Sequence, residues 1–112
     1  MTEGIVSFDD WSKLDLRVGK ILEVEDIEGA DKLYKFTVDI GSEKKTICAG
    51  IKEHYSKEEL IGKTIIIIAN LKPRKLKGIE SNGMLLAAGS KETNECSLIS
   101  PDKDVSPGSI VS

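Results

Sequence analysis

Apolar and polar residues alternate with a period of two through much of the first half of the chain, the pattern of strands half buried against a core. Leu14, Leu16 and Val18 alternate with Asp15 and Arg17, which predicts a first strand over residues 14–25. Gly19 interrupts the period and the apolar set becomes Ile21, Leu22 and Val24, as at a bulge or sharp bend. Glu28-Gly29-Ala30-Asp31 predicts a turn. A second strand follows over 33–40, with Tyr34, Phe36, Val38 and Ile40 on one face and Lys35, Thr37 and Asp39 on the other. Gly41-Ser42-Glu43-Lys44 predicts a hairpin into a third strand over 45–49.

The period then changes. Ser56-Lys57-Glu58-Glu59 fits a capping box, and Ile51, Tyr55, Leu60 and Ile61 supply the apolar contacts of a helical segment ending near Gly62. Residues 64–69 form a β-branched run that predicts a strand buried on both faces, and 83–88 predict another buried strand, reached through a basic loop. A short helix also opens at Ser7, which caps it, with Asp9 and Asp10 in its positive first turn. The order β-β-β-α-β-β is that of an all-β, five-stranded OB-fold barrel with a short helix between strands 3 and 4.

Five strands close such a barrel, so residues 89–112 are surplus to it. They contain a polar stretch, a short strand over 96–99 and a turn-rich end, and the apolar pairs Leu98/Ile99 and Ile110/Val111 argue against a disordered tail. The expected organisation is one domain. Residues 1–88 make the barrel with its N-terminal helix, and 89–112 form a C-terminal extension that packs on it as a covering layer or a subunit interface.

Composition adds limits and one reversal. The 112 residues, 39% hydrophobic and 31% charged, suit a single soluble core. The apolar run 65–69 is far short of the ~18 residues of a membrane span. The opening MTEGIVSFDD has neither a basic nor an apolar signal region, and Cys48 and Cys96 form no CxxC, so a reduced cytoplasmic setting is expected. A net charge of −3 argues against a polyanion partner, but only as a total. Residues 1–31 hold nine acids and three bases, 32–79 eleven bases and five acids, and 80–112 five acids and two bases. The middle is therefore strongly basic, densest at Lys72-Pro73-Arg74-Lys75-Leu76-Lys77. A solvated loop and a phosphate-neutralising patch both fit that run.

Catalysis has little to stand on. His54 and Cys48 could pair as a thiol dyad, but no orienting third group or oxyanion hole accompanies them. A structural zinc site wants four Cys or His ligands, and the chain has two Cys and one His. Neither GxxxxGK nor GxGxxG occurs, so no cofactor is expected. Binding is better supported, because OB-folds grip oligonucleotides on strands 2 and 3 and the flanking loops. The candidates are Arg17, Lys32, Lys35, Lys44 and Lys45, with Lys72, Arg74, Lys75 and Lys77 in the basic loop. Of the five aromatic residues, Tyr34 and Phe36 share a core face, Tyr55 is expected to pack on the helix, and Trp11 is the one loose candidate for stacking, with the core the expected place for it too. Few exposed aromatics shift the expected ligand from unstacked single strands to folded RNA.

Four stretches then carry a resemblance: residues 13–21 (KLDLRVGKI), 29–33 (GADKL), 69–73 (ANLKP) and 81–87 (SNGMLLA). In this order and spacing the chain resembles the tRNA-binding domain family. That family includes the C-terminal extension or separate β subunit of methionyl-tRNA synthetases, free-standing structure-specific tRNA-binding proteins, and domains of the endothelial monocyte-activating polypeptide II type. The end of the chain, with Ser100-Pro101-Asp102-Lys103 and Gly108, resembles the short dimeric members. The resemblance implies a non-catalytic, shape-selective tRNA-binding module that is an accessory to an aminoacyl-tRNA synthetase, and a homodimer built partly through the extension. It assigns tRNA contact to Lys32, Asn70, Lys72, Ser81 and Met84; Ser81 also fits the turn before Gly83, and Met84 also fits the core. No synthetase catalytic domain is present, which leaves a free-standing protein, a separate subunit or an excised domain, and Met1 with its polar leader suits the first two. A secretion chaperone related to this family makes a dimer that binds unfolded polypeptide the alternative.

Overall fold

The computed structural model describes residues 4–112, so the start of the polar leader, residues 1–3, lies outside it. Helix α1 (Phe8–Ser12) is capped by Ser7, whose Oγ accepts the Asp10 N–H at 3.1 Å. Strands β1 (Leu16–Ile27), β2 (Ala30–Asp39) and β3 (Lys44–Ala49) form an antiparallel meander. Helix α2 (Lys57–Leu60) follows, with the predicted capping box between Ser56 and Glu59 in place. Strand β4 (Thr64–Ile68) returns beside β1. The remaining strands are β5 (Arg74–Leu76), β6 (Ile79–Ser81), β7 (Met84–Leu85), β8 (Ala87–Ser90), β9 (Glu95–Leu98) and β10 (Ile110–Val111). The main sheet runs β3-β2-β1-β4-β7, with β10 also on β1. This is an all-β, OB-like barrel with its short helix between the third and fourth barrel strands.

The core follows the alternation. Ile21, Phe36, Val38, Ile47, Ile65 and Ile67 are fully buried inside the barrel, and Leu60 of α2 joins them. The irregularity in β1 falls at Leu22, not at Gly19. Ile21 pairs Val38 and Glu23 pairs Thr37, so Leu22 is the extra residue, and it brings both Ile21 and Val24 to the core. Gly19 has a different cause: a Cβ there would lie 2.5 Å from Val38 Cγ1.

Three other expectations are corrected. The first strand starts at Leu16, because the Leu14 N–H is taken by Trp11 O at the end of α1. Trp11 is 41% exposed and not a core residue. Stretch 83–88 is not one buried strand. After Ile68 and Ile67 have paired Met84 and Leu85, Leu86 N–H still donates to Ile66 O, but the Ile66 N–H is taken by Ile99 O. Ala87 is thereby excluded from this edge, and Ala87 and Ala88 lie exposed in a separate hairpin with β9.

Side chains complete the seam between β3 and the turn joining β6 to β7. Asn82 N–H donates to Thr46 O at 2.9 Å, and Thr46 N–H donates to Asn82 Oδ1 at 3.2 Å. Cys48 N–H donates to Ser81 Oγ at 3.0 Å, and that hydroxyl donates onward to Gly83 O. At the other end of β1, Val18 exchanges hydrogen bonds with Ser109 O and the Gly108 N–H, which fixes the end of the chain to the barrel.

Candidate nucleic-acid interface

The basic loop is a hairpin. Arg74 pairs Ser81, Lys75 pairs Glu80 and Leu76 pairs Ile79, leaving Lys77-Gly78 as a two-residue turn with φ of 53° and 83°. Positive φ at both positions is the mirror-image turn whose twist suits two antiparallel strands. Lys-Gly is not the usual Asn-Gly signal, so the segment reads as a loop in the sequence. Lys72, Arg74, Lys75 and Lys77 are all exposed, and none forms an ion pair among the described residues. Four positive groups without ion-pair partners, three on an ordered two-stranded arm and Lys72 just before it, can neutralise a polyanion at the cost of little rearrangement.

The other predicted positions differ in how far they are engaged. Lys32 is 75% exposed and only loosely paired, with Nζ 3.6 Å from Glu53. Lys35 lies opposite Glu25 across the β1–β2 ladder, at 3.9 Å. Lys44 is exposed, and Lys45 reaches Glu43 at 3.5 Å. Arg17, by contrast, is used internally: its Nε donates to Asp15 Oδ1 at 2.6 Å and its Nη1 to Gly108 O at 3.1 Å. Asn70 is used likewise, its Oδ1 accepting the Asp15 N–H and its Nδ2 donating to Lys13 O. Ser81 is 2% exposed, with its hydroxyl occupied on both sides. Met84 is half buried against the main core.

Sequence reasoning missed several residues that shape this surface. Lys52 and Lys57 both reach Asp26, at 3.0 and 2.6 Å, and tie the segment before and into α2 to β1. Hydrogen bonds from Lys57 and then Lys52 hold the Asp26 carboxyl below the usual carboxylate range, and Asp26 in turn raises Lys57. Asn82 is another such residue, and Ser81-Asn82-Gly83 reads as a turn in the sequence. The thiol dyad fails on environment, because Cys48 is fully buried and desolvation pushes its thiol up, the reverse of nucleophile activation.

Comparison with known proteins shows the family of the chain. Residues 16–110 match the domain family described as "Putative tRNA binding domain". The chain belongs to the tRNA-binding domain family. It is 55% identical over 106 residues to the methionine--tRNA ligase of Pyrococcus horikoshii, covering 95% of this chain and 14% of that protein. It is 50% identical over 110 residues to the corresponding Thermotoga maritima ligase, covering 98% of the chain and 17% of the ligase. The chain thus spans about a seventh to a sixth of the length of these relatives. Among solved structures, a MetRS-related protein from P. horikoshii superposes with a TM-score of 0.89 at 37% identity, over 96% of this chain and 97% of that one. The CsaA chaperone of Picrophilus torridus superposes with a TM-score of 0.87 at 33% identity, over 96% of this chain and all of that one. This tRNA-binding domain is therefore homologous to part of the methionyl ligases, and no described helix is long and apolar enough to cross a membrane.

Proposed function

We propose that the chain is a non-catalytic, shape-selective tRNA-binding module that raises the hold of a methionyl-tRNA synthetase on tRNA in the cytoplasm. The observation that carries this reading is the ordered hairpin bearing Arg74, Lys75 and Lys77, with Lys72 just before it, none of them in an ion pair among the described residues. Lys32 and Lys35 extend the cationic surface onto β2. Arg17, Asn70, Ser81 and Met84 serve it indirectly, by holding strands and turns in place. Filter binding at low salt tests the reading. Folded tRNA should be retained in preference to unstructured RNA of equal length, with affinity falling steeply as salt rises. Equal retention of the two overturns it.

The same reading includes a homodimer through residues 89–112 and α1. Phe8 is 78% and Ile110 72% exposed, and together with Trp11, Leu14 and Val111 they line an apolar groove of about 460 Å³. An apolar surface of this kind is what a second copy covers. Sedimentation of Phe8→Ser/Ile110→Ser should show a monomer where the parent is a dimer, and a monomeric parent removes the assignment.

The likeness to CsaA chaperones favours a second reading, an unfolded polypeptide in that groove. Its binding would change little with salt, so competition between tRNA and an unfolded peptide at two salt concentrations separates the two.

A further inference from the structure

The buried apolar residues form two clusters, and the smaller one holds the basic hairpin. Ile27, Ala30 and Cys48 are its buried members, and Leu33, Leu76 and Ile79 pack against them half buried. The division of labour within the hairpin follows from the pleat. Leu76 and Ile79 are cross-strand partners and share a face with the Arg74–Ser81 pair, whereas Lys75 and Glu80 project from the opposite face. The hairpin is therefore attached twice. Ser81 hydrogen-bonds the Cys48 amide at its root, and Leu76 and Ile79 pack beside the Lys77-Gly78 tip. Leu33 belongs to the same cluster and lies between Lys32 and Lys35 on the chain. One apolar contact thus joins the strand carrying two of the proposed phosphate-binding lysines to the hairpin carrying three of the other cations, with Lys72 just before it.

We propose that Leu76 and Ile79 are positioning residues that dock the basic hairpin against Cys48 and the β1–β2 turn, and so create the preference for folded over unstructured RNA. The proposal rests on the tRNA-binding reading above. A docked hairpin holds its charges at fixed distances from Lys32 and Lys35 and matches only phosphates arranged to suit them. A hairpin freed from the cluster keeps every charge and follows any strand. Non-specific affinity survives, and selectivity does not.

Cys48 supplies the reporter. Its thiol is fully buried beneath the hairpin, and burial raises its pKa, so it reacts slowly while the hairpin is docked. The test uses the full chain carrying Cys96→Ser, which leaves Cys48 as its one thiol. Leu76→Ala/Ile79→Ala is compared with the parent and with the conservative pair Leu76→Met/Ile79→Val. Three quantities are read: affinity for folded tRNA, affinity for unstructured RNA of equal length, and the rate at which a thiol reagent modifies Cys48. In the alanine pair the ratio of the two affinities should fall roughly tenfold while affinity for unstructured RNA stays within about twofold. Cys48 should react about tenfold faster, and the conservative pair should restore both values. An unchanged ratio overturns the proposal, as does an equal loss on both RNAs, which would mark a general folding defect. A parent that shows no preference for folded tRNA overturns the reading of the site itself, and this proposal with it.

Discussion

Arg17 and Arg74 carry the same guanidinium in opposite circumstances. On β1, Arg17 is held by Asp15 and by the carbonyl of Gly108, and all of that contact is internal. On β5, Arg74 stands exposed beside Lys72, Lys75 and Lys77 with no acid among the described residues to meet it. The same contrast separates Lys52 and Lys57, both drawn to Asp26, from the hairpin lysines. Counting bases along the chain treats these groups alike. A binding surface is made by the cations left over after internal pairing, because a paired cation must first break its contact before it can meet a phosphate.

The largest test of that contrast removes the free set. Changing Lys72, Arg74, Lys75 and Lys77 together to Ala should lower tRNA affinity roughly a hundredfold at low salt and reduce the salt slope by about 3. Filter binding across a salt series reads both values, and melting should hardly move. Next comes the far end of the Arg17 contact. Gly108 has φ of 90° and its Cβ position is blocked by Ile40 O, so Gly108→Ala should cost about 2 kcal/mol or more in denaturant unfolding. Arg17→Ala should cost about 1 kcal/mol of stability while changing tRNA affinity less than about twofold. A loss of affinity in Arg17→Ala to match that of a hairpin variant would erase the distinction between paired and free cations.

The smallest effect concerns Asp26. Its folded pKa lies below its unfolded value, so its contribution is present above about pH 4 and is lost as pH falls through the folded value. Lys57 is raised, so its share is present below about pH 10.4 and is lost as pH rises through its folded value. Between those limits, Asp26→Asn should melt slightly below the parent. The two melting curves should converge in acid, which thermal scans from pH 7 down to about pH 2 would show.

Much of the barrel was legible because its strands obey a local rule. Tyr34, Phe36 and Val38 alternate and are buried as predicted, and Ser56 and Glu59 form the expected capping box. The basic run was legible as charge, but its shape was not. Lys77 adopts a positive φ that few lysines take, and the hairpin it closes is held by apolar contacts to residues 27, 30 and 48, distant in sequence. Trp11 was misplaced because an aromatic residue on a short helix gives no sign of which face will be covered. Ser81 and Asn70 look like surface polar residues in the sequence, yet their hydrogen-bond partners are backbone groups brought near only by folding.

By itself, the sequence determined the succession of the barrel elements along the chain, the helix between the third and fourth barrel strands, and the basic middle of an otherwise acidic chain. These depend on neighbours two to four residues apart, where pleat, helical pitch and turn chemistry act. Only the tertiary structure decided which cations remain free, how Ser81 and Asn82 complete the seam with β3, and which apolar pair anchors the hairpin. Those outcomes depend on groups dozens of residues apart arriving within 3 to 4 Å of each other, and a charge or hydroxyl in the sequence carries no mark of the partner that folding will bring.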